Sequence, residues 1–392
     1  ATRDKVVTLN RLGKSHAKRN ENDKAVRWFN EAHTITEPHA EDKAWAQVRS
    51  ESLIFMAWTR KAVDDYTKAV QYLDAAIELD KQATELDPMD LSTHYQYAAH
   101  RSEKSAAQFE QRGCSKKRDM RLSLQDSVDR MTNLLKFFPG HIGWRYGRFL
   151  ARHRLGSLQW CFRDYKRMAT YFREASNDLD YILSRSNDVQ PKVLRSELDI
   201  SIARMHLAKR RPAAAAAGAA LKRSLSDMRI ASREESQPGE ASFALASLLS
   251  ISWEVDVALN DIGAAEKHLV EIEGLADRLT GTAAHASVIC NAAEGALGLF
   301  GDDPRTVVAI KKCASQPEFE LYSTSFALAL AHLADDGEQS SALIARLRAL
   351  TTQPRKRLSW RFDGLRQALT RLEGRQNGAL SRMFLALQNL GE

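Results

Sequence analysis

The sequence predicts an all-α protein, a right-handed α-solenoid of about nine helical hairpins running through residues 1–392. Three observations predict it. Amphipathic stretches of helical period follow one another from end to end, separated by short Gly, Pro, Asn or Asp punctuation, and strand-like runs are nearly absent. The punctuation recurs: Pro88 in LDPMD, Pro139 in FFPGH, the stretch from Asn187-Asp188 to Pro191, and Pro238 in SQPGE lie about fifty residues apart. Finally, 392 residues with 44% apolar side chains exceed what one compact core usually serves, so an elongated array is the economical arrangement.

The elements follow in order. Helices are expected at about 5–19 and 22–36, closed by Pro38, then at about 40–61 and 64–86, closed by Pro88. The next pairs span about 91–112 with 118–137, ended by Pro139, and about 141–158 with 161–184, ended by the Asn187 to Pro191 stretch. A pair at about 192–209 and 212–232 follows. Its second member opens on PAAAAAGAA, where Ala is the strongest helix former and Pro212 suits a first helical position. Small side chains along that face let two helices approach closely. Beyond Pro238 come about 239–259 with 262–280, 283–300 with 304–314, 318–334 with 337–350, and 356–374 with 377–390. The acid pairs Asp302-Asp303 and Asp335-Asp336 fall at turns, where Asp caps the following helix.

The opening hairpin carries the most specific signal. Between Val6 and Pro38, the residues Leu9, Leu12-Gly13, Ala25, Phe29, Ala32 and Pro38 have a packing logic. Gly13 lets the second helix approach the first, Ala25 sits at the closest crossing, Phe29 plugs the gap between neighbours, and Pro38 ends the unit. Order and spacing resemble the tetratricopeptide repeat consensus. Residues 1–39 form a near-consensus unit, 40–238 long-helix repeats of about fifty residues, and 239–392 shorter hairpins, all in one solenoid. This resembles the long-helix tetratricopeptide arrays of large bacterial signalling proteins, in which such repeats often accompany kinase, protease or regulatory domains. The resemblance implies a protein-binding scaffold, with an extended concave surface lined by the first helix of each pair.

Charge is segregated along the chain. Residues 112–173 carry a net +11, residues 234–338 a net −13, and residues 346–382 a net +8. Within the basic middle, Arg145, Arg148 and Arg152 share a helix face at i, i+3 and i+7, interleaved with Trp144, Tyr146 and Phe149. Tyr95 and Tyr97 occupy matching positions one repeat earlier. These five side chains are the expected partner contacts, and arginine beside aromatic groups favours an acidic protein or peptide. Nucleic-acid recruitment through the basic zones is a lesser alternative, because no recognition module accompanies the charge. Another is that the array is the regulatory region of a larger signalling enzyme.

Catalytic and metal chemistry find no foothold. GxSxG, HExxH, P-loop and kinase motifs are absent, and the His33/His39 and His94/His100 pairs stand six apart, which places them on different helix faces. No cofactor is expected. Cys114, Cys161, Cys290 and Cys313 lack metal or redox spacing and are expected as free packing or surface thiols, consistent with a cytoplasmic protein, or a periplasmic one. No stretch reaches roughly 18 uninterrupted apolar residues, so membrane insertion is not expected. The start at ATRDK, without Met, suggests a segment of a longer protein.

Overall fold

The computed structural model describes residues 2–279, apart from 19–20, 40–41, 64, 210–212 and 236–238, together with 288–290, 292–293 and 313. Over these residues the chain is helical throughout, with no strand. It groups into two compact units, Ala1–Ile182 and Leu183–Glu392.

Unit 1 contains α1 (Thr2–Lys18), α2 (Asn22–Thr36), a 3₁₀ turn (Glu37–His39), α3 (Lys43–Ala62), α4 (Tyr66–Leu86), α5 (Leu91–Arg112), α6 (Lys117–Phe137), α7 (Ile142–Leu158), a 3₁₀ turn (Gln159–Phe162) and α8 (Tyr165–Leu183). Unit 2 contains α9 (Val189–Leu207), α10 (Ala214–Glu234), α11 (Glu240–Ala258) and α12 (Ile262–Arg278). All twelve helices expected up to residue 280 are present, with bounds within four residues of expectation. The expected hairpins from residue 283 onward, the acid pairs Asp302-Asp303 and Asp335-Asp336, and the basic end at 346–382 lie outside the described residues.

One packing register recurs in every second helix. The buried triads are Ala25, Phe29, Ala32 on α2; Ala69, Leu73, Ala76 on α4; Met120, Leu124, Ser127 on α6; Met168, Phe172, Ala175 on α8; Ala217, Leu221, Ser224 on α10; and Ala265, Leu269, Ile272 on α12. Positions i, i+4 and i+7 share one helix face. The central Phe or Leu fills the seam between helices, contributing roughly 1.5–3 kcal/mol each on burial. The flanking positions, mostly small, let the first helix come close. This is the tetratricopeptide-like fold read from the opening repeat, continued through both units.

A second near-consensus copy sits at α7 and α8. Gly156 backs onto Phe172 as Gly13 backs onto Phe29: a Cβ built on Gly156 would lie 2.5 Å from Phe172 Cε1, and one on Gly13 2.6 Å from Phe29 Cζ. Two consensus positions lie at the surface. Leu12 is 41% exposed and Pro38 is exposed, whereas Ala25, Phe29 and Ala32 are fully buried. The reason for Leu12 is positional: its counterpart Leu155 packs against Met120, Leu124 and Val128 of the preceding second helix, and α1 is the first helix described.

The cysteines correct the sequence reading. Cys114, in the turn between α5 and α6, is disulfide-bonded to Cys161 in the 3₁₀ turn after α7, and Cys290 is bonded to Cys313. Neither pair has a signature spacing; the first joins turns at the same end of adjacent hairpins, which only folding brings together.

In unit 2, α10 begins at Ala214, and Pro212 lies outside the described residues. Ala217 is fully buried, and a Cβ on Gly218 would sit 3.3 Å from Val255 Cγ1, so the small-residue face does meet α11 closely. α11 is apolar enough over its 19 residues to cross a membrane by length and composition. Here it is the core helix of unit 2, burying residues on all sides between α9, α10 and α12.

Candidate partner-binding site

The three arginines expected to contact a partner do share one face of α7, but that face is turned toward α8. There Asp178, only 1% exposed, receives all three. Arg148 donates from Nη2 to Oδ1 at 2.6 Å and from Nε to Oδ2 at 3.0 Å, and Arg152 donates from Nη1 to Oδ2 at 2.7 Å. Arg145 reaches Oδ1 from 3.5 Å, stacks its guanidinium 3.8 Å from the centre of the Tyr181 ring, and donates Nε to the Pro139 carbonyl at 3.0 Å. The side chains of Arg145, Arg148 and Arg152 are 19%, 12% and 14% exposed. The expectation of a solvent-facing cationic stripe is corrected accordingly: spacing sets which residues share a face, and packing sets where that face points.

Burying the Asp178 carboxylate would cost several kcal/mol without partners. Three guanidiniums offset that cost and leave a surplus. Glu174 takes part of it, with its Oε2 3.3 Å from Arg152 Nε, yet that Nε, enclosed by protein, has no aligned hydrogen-bond acceptor.

The same imbalance recurs on the neighbouring helices. On α5 and α6, Arg101 and Arg130 both hold Asp126, at 2.6 and 2.9 Å, and both guanidiniums lie over the Tyr97 ring, 5.4 and 4.9 Å from its centre. Tyr97 also accepts from Arg101 Nη1 at 3.3 Å. Tyr95, two residues earlier, points elsewhere: it packs with Leu91, Leu134, Leu135 and Trp144, and Cε2 would lie 2.7 Å from a Cβ on Gly147. Burial raises its phenol above the usual range. The structure thus joins Tyr97 to a cationic cluster and assigns Tyr95 to packing between repeats.

Between α3, α5 and α7, Glu103 is held by Arg154 and, at 3.1 Å, by Lys61. Burial pushes its carboxyl up, but the two cations overcome this and hold it at about 2. His153, enclosed beside Phe149 and Phe172, is lowered to about 4 by burial and then by the Arg154 charge. Together the three clusters set seven cations, Arg101, Arg130, Arg145, Arg148, Arg152, Arg154 and Lys61, against four carboxylates.

Asp178 and Asp126 were missed in the sequence. For Asp178 a signal existed: it interrupts the apolar stripe of Met168, Phe172, Ala175, Leu179 and Ile182 on α8. Asp80 interrupts the α4 stripe in the same way, accepting from Ser50 Oγ at 2.6 Å and lying 2.6 Å from His100 Nδ1. Although this brings Ser, His and Asp together, the serine is buried and donates to the aspartate, and His100 turns one nitrogen toward both partners. The arrangement orients no nucleophile. The remaining candidate histidines are likewise engaged locally: His94 Nε2 meets the Pro88 carbonyl at 2.8 Å, His39 stacks on Trp45, and burial together with Arg49 lowers the pKa of His33.

No family model matches the sequence, and no curated protein matches it. Solved structures do resemble the fold. The apo form of RapI aligns with 98% of this chain and 96% of its own length at 10% identity and a TM-score of 0.56. A Rap protein complexed with Competence and Sporulation Factor aligns with 99% and 98% at 14% identity and a TM-score of 0.52. The apo form of the quorum sensor NprR from B. thuringiensis aligns with 100% and 98% at 14% identity and a TM-score of 0.51.

Proposed function

We propose that this tetratricopeptide-like chain is a non-enzymatic scaffold that binds a protein or peptide partner, and that acidic groups of the partner meet the arginine-rich helices of unit 1. The observation that carries this reading is a surplus of cations: three guanidiniums share the one buried carboxylate Asp178, and Arg101 and Arg130 share Asp126 while remaining 27% and 37% exposed. The printed descriptions of two similar structures, a complex with Competence and Sporulation Factor and a quorum sensor, support a binding role of the same kind.

The test is cross-linking mass spectrometry on partners captured by the full chain, with Arg145→Gln as the probe variant because Arg145 is the most peripheral of the three. Cross-links on α5 to α8, and capture that weakens in the variant and at high salt, are the expected results. Capture indifferent to both, or cross-links confined to other helices, would overturn the reading.

Both disulfides also bear on the setting. We propose an oxidising compartment in place of a reducing cytoplasm, since paired cysteines persist only where thiols are not kept reduced. Thiol labelling of protein from its source cells, showing all four cysteines blocked, is the expected outcome.

A further inference from the structure

Unit 2 holds a groove that the arginine clusters do not account for. It lies between α10 and α12 above α11, with a volume of about 510 Å³. Lys222, Arg229 and Arg233 run along its α10 wall at i, i+7 and i+11, one stripe of the helix. The middle cation is already matched: Glu271 of α12 accepts from Arg229 Nε at 2.9 Å and from Nη2 at 2.7 Å. On the floor, Asp256 Oδ2 of α11 lies 2.8 Å from His268 Nδ1 of α12, with no aligned hydrogen bond between them. Lys222 and Arg233 are different. Both are exposed, and no described residue pairs with either.

Among the described residues the groove therefore presents one unmatched cation at each end, with apolar surface between them from the half-buried Leu225 and the half-exposed Ile230. Eleven residues of α10 separate the two cations, which at about 1.5 Å per residue is roughly 16 Å. An extended peptide rises about 3.3 Å per residue and turns alternate side chains to opposite faces, so two acids four residues apart share one face about 13 Å apart, within reach of these two long side chains.

We propose that this groove is a second binding site, for an extended peptide segment with two acidic side chains four residues apart and apolar residues between them. Charge complementarity selects the acids, and the Ile230 surface selects the residues between. The site lies wholly in unit 2 and stands independently of the proposed function in unit 1.

The experiment is fluorescence anisotropy on the full chain with a labelled pentapeptide, glutamate at both ends and leucine and serine between, compared with the same peptide carrying glutamine at both ends. The acidic peptide is expected to bind at least tenfold more tightly. Lys222→Gln with Arg233→Gln should abolish that preference, and Ile230→Asp should weaken binding tenfold or more. Equal binding of the two peptides to the unaltered chain, no binding at millimolar concentration, or full displacement by equimolar inorganic phosphate would each overturn the proposal. The comparison of peptides on the unaltered chain holds even if a variant folds poorly.

Discussion

Arg148 of α7 grips Asp178 of α8 with two nitrogens, at 2.6 and 3.0 Å, in the side-on geometry that suits a guanidinium and a carboxylate. Arg152 closes on the same carboxylate from 2.7 Å, so one acid ties two turns of α7 to α8.

Asp178→Asn should therefore destabilise unit 1 by about 3–5 kcal/mol, because it leaves several enclosed guanidiniums without their counter-charge. Urea denaturation of the variant checks this. Adding Arg148→Met to Asp178→Asn should cost less than the two single changes taken separately, as expected for groups in one network. Replacing Arg145, Arg148 and Arg152 together by Glu should open the α7/α8 hairpin.

Gly156→Ala should cost roughly 1–3 kcal/mol by driving a methyl group into the Phe172 ring. Phe172→Leu in the same chain should recover part of the loss. Hydrogen exchange should place the lost protection on α7 and α8, since repeat coupling is to nearest neighbours.

Acid should weaken the fold in two stages. His153 titrates at about 4 in the folded chain against 6.5 unfolded, so the unfolded state takes up its proton first. The stability it contributes is full above pH 6.5 and is lost as pH falls toward 4, by about 3 kcal/mol at 1.36 kcal/mol per unit. Glu103, held at about 2 against 4.5, adds a second loss below pH 4.5. Unfolding free energy measured from pH 8 to 4 should show the first stage, and His153→Gln should remove it.

Reducing the Cys114–Cys161 bond, which closes 47 residues of chain, should lower the stability of unit 1 by about 4 kcal/mol on the chain-entropy account. Denaturation of Cys114→Ser with Cys161→Ser, compared with the oxidised native chain, measures it. Equal stability of reduced and oxidised protein would argue against the bond.

The sequence by itself determined where each described helix lies, to within four residues at either end. Those features are local: Pro88, Pro139 and the Asn187 to Pro191 stretch act on their own backbone, and the apolar period acts within one helix. The Ala25, Phe29, Ala32 triad was legible once, in the first hairpin, and its substitutes Met120, Leu124, Ser127 and Ala265, Leu269, Ile272 were not, because the seam accepts any residues of suitable volume. Spacing also placed Arg145, Arg148 and Arg152 on one face of α7. Only the tertiary structure decided that this face meets Asp178 and not water, that Cys114 faces Cys161, that α11 is buried among helices, and that Lys222 and Arg233 flank a groove. A helix fixes angles between its own side chains, whereas its rotation about its axis is set by the neighbours it packs against, and those lie tens of residues away in the chain.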